Sequence, residues 1–233
     1  MAYTTIDDPT IYFNTKLYTG NGGTNAITGV GFQPDWVWVK RRDSSAAHYV
    51  WDVVRGAAVQ LYPASASSED AGQTNGLSAF GSDGFTLGSD AGPNVNSGTF
   101  ASWNWKAGTS FTNDASATGI GSIDSTGSVN QDAGFSICSY TGTGSTGTIK
   151  HGLNTAPAMI IVKNRSASQN WVVYHQSLGN TKAIFLSTTG AASTGSDWFN
   201  NTSPTSTVFS VGTYDAIVGN GHNLIAYCFA EKQ

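Results

Sequence analysis

The sequence predicts an all-β protein made of two tandem homologous antiparallel β-sandwich domains, of the jelly-roll or lectin-like kind. Three observations support this prediction. The chain of 233 residues repeats itself. Its apolar residues fall in short alternating or β-branched runs and lack helical periodicity. Gly, Asn, Asp, Ser and Pro interrupt these runs about every ten residues, as in sandwiches and barrels.

Several motifs occur twice in the same order along the chain. The matching segments are Tyr18-Thr-Gly with Tyr140-Thr-Gly, Pro34-Asp-Trp-Val-Trp-Val-Lys-Arg-Arg42 with Pro157-Ala-Met-Ile-Ile-Val-Lys-Asn-Arg165, and Ala101-Ser-Trp-Asn-Trp105 with Ile225-Ala-Tyr-Cys-Phe229. Such a repeat identifies one folding unit that was copied. We therefore predict repeat A over residues 1–108, a Gly/Ser/Thr-rich linker over 109–121, and repeat B over 122–233.

Each repeat contains seven predicted strands in corresponding positions. Those of repeat A are 12–19, 26–30, 35–41, 48–53, 58–62, 85–87 and 99–105. Those of repeat B are 134–141, 148–153, 158–164, 170–175, 183–187, 208–211 and 223–229. The strand after Pro34 or Pro157 is apolar on both faces, which predicts a central strand covered on each side.

The last strand of each repeat alternates between larger apolar side chains and other residues. In repeat A the alternating set is Ala101, Trp103 and Trp105. The set in repeat B is Ile225, Tyr227 and Phe229. Because alternate residues of a strand share one face, we expect these sets to face the core. The tryptophans of the central strand, Trp36 and Trp38, are also expected in the core, since apolar residues replace them in repeat B.

Composition excludes two classes of partner. Charged residues are only 11% of the chain and the net charge is −4, with no basic cluster beyond Lys40-Arg41-Arg42. Nucleic-acid binding needs clustered cations, so no nucleic-acid partner is expected. No apolar run approaches the roughly 20 residues of a membrane helix, so no membrane partner is expected either. The first residues lack the basic and hydrophobic regions of a secretory signal, so synthesis in a cytoplasm is expected.

The two cysteines lie only in repeat B. Cys138 and Cys228 correspond to Lys16 and Asn104, so the fold does not require a disulfide. Buried free thiols are expected for a protein made in a cytoplasm. A disulfide remains an alternative if the first and last strands of repeat B are neighbours.

The motifs of common enzymes are missing from the sequence. There is no Gly-x-Ser-x-Gly, Gly-x4-Gly-Lys or His-Glu-x-x-His, and the four histidines are scattered. Acidic residues such as Asp83 and Asp90 offer oxygen ligands, but Ser-Asp-Gly around Asp83 is explained by turn formation. We predict no catalytic residue, no metal site and no cofactor, and therefore a protein that is not an enzyme.

Sugar binding is the recognition chemistry that the aromatic content favours. Pyranose rings stack on exposed Trp or Tyr, and amide side chains orient the hydroxyls. The long polar connections 65–75 and 188–207 differ most between the repeats, and binding residues concentrate in such loops. The candidate binding residues are Trp198, Asn200, Asn201, Tyr62 and Tyr214. Trp198 is the first choice because it has no counterpart in repeat A.

Taken together, the motifs resemble a known repeat. They are Gly-Val-Gly-Phe-Gln-Pro-Asp-Trp-Val-Trp-Val-Lys, Trp-Asp-Val-Val-Arg-Gly, Ser-Asp-Gly-Phe-Thr-Leu-Gly, Trp-Asn-Trp-Lys-Ala-Gly, and in repeat B Tyr174-His-Gln-Ser-Leu-Gly-Asn180 and Ile225-Ala-Tyr-Cys-Phe-Ala-Glu231. This set resembles a repeat of tail-fibre-like and other virion-associated proteins of tailed bacteriophages, many of them marine. The resemblance implies a non-enzymatic structural protein exposed on the virion, with other virion proteins as partners.

Three functions are compared on this basis. The first is host attachment, as a tail fibre or receptor-binding component that recognises a host cell-surface glycan. The second is capsid decoration, in which the protein stabilises the phage head. The third, a polysaccharide-degrading enzyme, needs a carboxylate pair at glycosidase spacing, and no such pair recurs in the two repeats. A homo-oligomer is expected in the first two cases, and a trimer is one form considered.

Overall fold

The computed structural model describes residues 6–232 and divides them into two compact units. The first unit consists of Ile6–Ala64 and Glu69–Ala107. The second consists of Ser65–Ser68 and residues 108–232. Both are built from antiparallel strands with only short helical segments, as the sequence predicts. None of the described helices has the length and apolar character needed to cross a bilayer.

The first unit contains nine strands and one short helix. They are β1 Phe13–Thr19, β2 Asn25–Thr28, β3 Trp36–Arg41, β4 His48–Asp52, β5 Val59–Gln60, β6 Asp70–Ala71, β7 Leu77–Gly81, β8 Gly84–Leu87, α1 Ala91–Asn94 and β9 Thr99–Trp105. A 3-10 turn, Pro9–Ile11, precedes β1.

The second unit contains ten strands and two short helices. They are β10 Thr109–Asn113, α2 Ala115–Thr118, β11 Ser125–Asn130, β12 Phe135–Thr141, β13 Gly147–Lys150, β14 Pro157–Asn164, β15 Val172–His175, β16 Lys182–Phe185, β17 Ser193–Thr194, β18 Val208–Val211, α3 Asp215–Val218 and β19 Asn223–Ala230. A 3-10 turn, Gln176–Leu178, follows β15.

The core of the first unit lies between two sheets. One sheet has the order β1-β9-β3-β4 and the other has the order β2-β8-β7. Val37 and Val39 of β3 and Phe100 of β9 pack with Ile27 and Phe85 of the facing sheet. Burial of these β-branched and aromatic side chains is the main force holding a sandwich together.

The second unit has an eight-stranded sheet in the order β10-β11-β12-β19-β14-β15-β16-β17, with β13 and β18 forming a second sheet. Its core combines Ile160 and Val162 of β14 with Ile149 of β13, Phe209 of β18 and Ile217 of α3. β14 lies between β19 and β15 just as β3 lies between β9 and β4, so the central strands occur where the sequence predicts them.

Strand order and register are the same in the shared parts of the two units. The order β1-β9-β3-β4 corresponds to β12-β19-β14-β15. Within it, Phe13 lies opposite Trp105 and Phe135 lies opposite Phe229. The smaller sheets agree as well, since Asn25 pairs with Leu87 and Gly147 pairs with Val211.

Two pairs of matched glycines explain part of the sequence repeat. Gly29 and Gly152 both have φ +80°, and Gly56 and Gly179 have φ +96° and +79°. Side chains with a Cβ rarely adopt this region. The backbone bends therefore require glycine at these positions in both units.

Matched lysines at the end of the central strand anchor the loop that follows. Lys40 Nζ donates to the carbonyl of Ala46 at 2.6 Å, and Lys163 Nζ donates to the carbonyl of Gln169 at 2.5 Å. Each acceptor lies six residues after its lysine. The recurrence of a basic residue here reflects this loop contact.

The expected core face of the closing strands is wrong for Trp103 and Trp105, which are partly exposed, whereas Ile225 and Tyr227 are fully buried but on the face opposite the main core cluster of the second unit. In β9 the core face carries Phe100, followed by the small polar residues Ser102 and Asn104. Asn104 Nδ2 donates to the carbonyl of Asn14 at 3.0 Å. In β19 the core face carries Leu224, Ala226 and Cys228. Trp103 and Trp105 consequently lie on the outer face of the first sheet, with Ile225, Tyr227 and Phe229 on the matching face of the second.

The interval 109–121 is not an unstructured linker. It contains β10 and α2, and β10 pairs with β11 from Thr109 opposite Val129 to Asn113 opposite Ser125. The Asp114 side chain caps α2 by accepting from the amide of Ala117. The segment is part of the second unit, and its small polar residues gave it the composition of a linker.

The cysteines are free and buried, which confirms the prediction of free thiols. Cys138 lies on β12 and Cys228 lies on the neighbouring strand β19. They are not directly opposite, because Cys138 faces Ala226 and Cys228 faces Ser136. Diagonal positions in a sheet are about 7–8 Å apart, which is too far for a disulfide without backbone movement.

Candidate functional site

The outer face of the sheet β1-β9-β3-β4 carries a shallow aromatic pocket of about 260 Å³. Trp38, His48, Trp103 and Trp105 line it. Trp38 lies directly opposite Trp103 in the pairing of β3 with β9. Since alternate residues share a face, the pleat brings these side chains together on the side away from the core. All four are partly exposed.

Ring contacts fix the position of the pocket aromatics. The rings of Trp36 and Trp105 are 4.4 Å apart between centroids, and those of Trp36 and Trp38 are 5.7 Å apart. On the other side, Phe13 lies 4.8 Å from Trp105. Trp36 itself is buried, as expected from the sequence. The partly exposed indoles therefore pack beside the buried Trp36 and beside Phe13 of β1, and these contacts hold them in place.

His48 adds a polar group at the rim of the pocket. Trp38 Nε1 donates to His48 Nδ1 at 2.9 Å. Burial, and secondly the positive charge of Lys40, lower the pKa of His48. The imidazole is therefore neutral at pH 7, and because Nδ1 accepts a hydrogen bond, the proton is assigned to Nε2. The pocket thus combines indole faces with a neutral donor.

The family assignment rests on almost the whole chain. The sequence model of the family DUF7483, described as a domain of unknown function, matches residues 8–233. The chain belongs to the DUF7483 family. No curated protein and no solved structure matches it. The DUF7483 region includes both compact units, so the aromatic pocket lies within the region that defines the family.

The second unit of the DUF7483 region has no comparable exposure at the corresponding positions. Ile161, Trp171 and Tyr227 occupy the places of Trp38, His48 and Trp103, and all three are buried. Trp171 Nε1 donates to the carbonyl of Ser65 at 3.2 Å, within the same unit. The same face of the two sheets therefore serves packing in one unit and is partly open in the other.

Trp198 is not the exposed contact residue that the sequence predicts. Its side chain is only 9% exposed and belongs to the core of the second unit. Its ring lies 4.4 Å from that of Tyr214 and 5.2 Å from that of Phe185. An aromatic residue in a polar loop can fold back onto the core, and this one does.

The other predicted binding residues do not converge on one site. Asn200 and Asn201 are exposed in a turn near Trp198, with φ of +52° and +49°. Asn adopts this conformation more readily than most residues, so a turn role accounts for both. Tyr62 belongs to the first unit, and its hydroxyl donates to Asp70 Oδ2 at 3.0 Å. Tyr214 is half-buried against Trp198.

Two adjoining polar grooves in the second unit share Asp124 and Thr141, with volumes of about 320 and 590 Å³. Their carboxylates are engaged in capping the short helix α2. Asp124 Oδ1 accepts from the amide of Ala115 at 2.8 Å, and Asp114 accepts from Ser116 Oγ at 2.7 Å. Within residues 6–232 no three His, Cys, Asp or Glu side chains cluster as metal ligands.

Sequence reasoning missed the aromatic pocket because it assigned the tryptophans to the core. Two signals were available in the sequence. Trp103 alternates with the polar residues Ser102 and Asn104, so one face of β9 is polar and the other aromatic. The second signal is the change from Trp171 in repeat B to His48 in repeat A, which places a polar side chain beside the indoles.

Proposed function

We propose that this DUF7483 protein is a structural protein on the surface of a tailed-phage particle, and that it attaches the particle to a host cell-surface glycan. The observation that carries the proposal is the aromatic pocket of Trp38, Trp103, Trp105 and His48. The resemblance of the repeats to tail-fibre-like proteins supplies the biological setting. The common strand order and register support two tandem homologous domains derived from one duplicated sandwich.

The chemistry of the pocket suits a sugar. The apolar face of a pyranose ring packs on an indole, and a rigid aromatic surface loses little conformational entropy on binding. The neutral His48 can donate a hydrogen bond to a ring hydroxyl. None of the lining residues bears a carboxylate or a guanidinium. The pocket therefore favours a neutral sugar over a phosphorylated or acidic one.

The first prediction concerns the central indole of the pocket. Replacing Trp103 with Ala should weaken binding to purified host polysaccharide by about 2 kcal/mol, or roughly 30-fold, because the stacking surface is lost. Trp103→Tyr should retain most of the affinity, since it keeps an aromatic face. Binding would be measured by isothermal titration calorimetry or on a glycan array, with circular dichroism to confirm folding.

A matched control is available in the second unit. Leu186 is a large apolar side chain that is 38% exposed and lies outside the pocket, so Leu186→Ala should leave binding unchanged. Equal binding by wild type and Trp103→Ala would exclude the pocket as the glycan site. If the wild type binds no host glycan but adds stoichiometrically to stripped capsids, attachment is wrong and capsid decoration replaces it.

A further inference from the structure

The outer edge of β1 has no strand partner in the part of the chain that the structure describes. β1 is the first strand in the order β1-β9-β3-β4, and within residues 6–232 no other strand pairs with its free side. In the second unit the corresponding strand, β12, is covered on that side by β11, from Ser125 opposite Tyr140 to Asn130 opposite Phe135. The same edge is therefore paired in the second unit, whereas in the first unit it has no strand partner among the described residues.

The hydrogen-bonding groups on this edge belong to the odd-numbered residues. The amide of Gly20 donates to the carbonyl of Gly98, and the amide of Lys106 donates to the carbonyl of Tyr12, so even-numbered residues bond toward β9. Backbone groups of successive residues point in opposite directions in a strand. The amides and carbonyls of the odd-numbered residues of β1 therefore point outward. In the single chain the amide of Thr15 donates to Asn14 Oδ1 at 2.9 Å, and a pairing strand must replace this bond.

Two large apolar side chains accompany these groups. Phe13 is 37% exposed and Leu17 is 58% exposed. They are four residues apart, so they lie on the same face with Thr15 midway between them. Exposed strand edges bearing apolar side chains are sites of strand addition unless they are protected.

We propose that β1 pairs with β1 of a second copy of this chain, antiparallel and centred on Thr15. In this register Thr15 faces Thr15 of the second copy, and each Phe13 faces Leu17 of the other copy. The two exposed apolar side chains then cover each other twice across a two-fold axis. A surface that is complementary to itself is the requirement of a two-fold interface.

Unfavourable side-chain pairs disfavour the neighbouring registers. A pairing centred on Lys16 places two ammonium groups directly opposite, which is destabilising. A pairing centred on Leu17 leaves Phe13 opposite Asn21. With Thr15 at the centre, Lys16 faces Asn14 of the second copy, so no two like charges lie directly opposite each other.

Lys16 limits which strands can add to this edge. It occupies the position that Cys138 fills in the second unit, on the face of the strand that lies over the core. An inward-directed lysine on an edge strand discourages unselective strand addition. Once the two β1 edges meet, neither remains open for a third copy.

The test uses a cysteine at the centre of the register. Thr15 is exposed, and the native cysteines are buried, so Thr15→Cys introduces the reactive thiol. Directly opposed residues lie about 5.5 Å apart between Cα atoms in a hydrogen-bonded pair, within disulfide range. Mild oxidation should give a covalent dimer of Thr15→Cys but little of Leu17→Cys, because Leu17 faces Phe13 rather than itself.

Light scattering and sedimentation of the uncrosslinked full chain complete the experiment. The wild type should dimerise with rising concentration, and Leu17→Lys should raise the dimer dissociation constant at least about tenfold. Leu186→Lys, the same change at another exposed leucine, should leave it unaltered. A wild type that stays monomeric at all concentrations, a dimer unaffected by Leu17→Lys, or equal crosslinking of both cysteine variants would each overturn the proposal.

Discussion

His151 is the buried residue from which we expect a response of the protein to pH. Its side chain is fully buried in the second unit. The amide of Leu153 donates to Nδ1 at 3.1 Å, so Nε2 carries the proton and donates to the carbonyl of Thr205, also at 3.1 Å. Burial lowers the pKa of His151 from 6.5 to about 4. The folded state therefore holds a neutral imidazole at this position.

We predict that the free energy of unfolding falls as pH decreases from about 6.5 to 4. In this window the unfolded chain binds a proton at residue 151 and the folded chain does not, so acid favours unfolding. The resulting loss in the free energy of unfolding reaches about 3 kcal/mol once the pH is below this range. Urea denaturation of the wild type and of His151→Asn at pH 7 and pH 4.5 would measure it.

The loss of stability of each protein between pH 7 and pH 4.5 separates this effect from general acid denaturation. His151→Asn should be less stable than the wild type at pH 7, because a packed hydrogen-bonded ring is removed, yet it should lose less stability on acidification. If both proteins lose the same free energy between the two pH values, His151 does not titrate on unfolding.

The candidate site was the part least accessible to sequence reasoning, and the tryptophans show why. Trp198 lies in a polar loop but packs in a core, whereas Trp38 and Trp103 lie in strands but are half-exposed. Strand alternation assigns residues to one of two faces. It does not reveal which face another part of the chain covers, and that decides whether an indole is a packing residue or a contact residue.

At the scale of elements, the strand pair β10 and β11 is the feature that composition concealed. Both strands are rich in Ser, Thr and Asn, yet they extend the second sheet beyond β12. Gly127 lies in the middle of β11. A Cβ atom there would overlap the carbonyl oxygen of Ile137 on β12 and approach the ring of Phe111 on β10 within 2.7 Å. The absence of a side chain at residue 127 allows the three strands to pack.

Gly127→Ala should consequently destabilise the second unit by about 1–3 kcal/mol, since overpacking shifts backbone or ring. Thermal denaturation followed by circular dichroism would detect the loss as a lower midpoint. Gly23→Ala is the matched control, because the nearest atom to a Cβ there is Asn21 Oδ1 at 3.9 Å. A Gly127→Ala protein as stable as that control would show that β10 is not tightly packed on β11.

Repeated motifs predicted most strands because they record apolar alternation that both units need. The predicted strand 35–41 corresponds to Trp36–Arg41, and 208–211 corresponds to Val208–Val211. The strands that sequence reasoning missed, such as Leu77–Gly81 and Ser125–Asn130, lie in stretches without a clear apolar period. They form because a neighbouring strand offers backbone partners, and such tertiary pairing leaves little trace in local sequence.

At the scale of the whole molecule, the two units have a common framework and different surroundings. Repetition in the sequence predicted the common framework. The differences arise from segments that do not repeat, since β11 covers the edge of β12 and Ser65–Ser68 belongs to the second unit. A comparison of matched positions cannot anticipate what an unmatched segment covers, so the open edge and the aromatic pocket of the first unit emerge only in three dimensions.

The open edge of β1 has a consequence for avidity. Joining two β1 edges across a two-fold axis gives one continuous sheet with both aromatic pockets on the same side. With strands about 4.8 Å apart, the pockets lie four strand spacings, or roughly 20 Å, from each other. A polysaccharide with repeating units could then engage both at once. Leu17→Lys should therefore lower the apparent affinity for the polymer while leaving that for a single short oligosaccharide unchanged, as surface plasmon resonance with the two ligands would show.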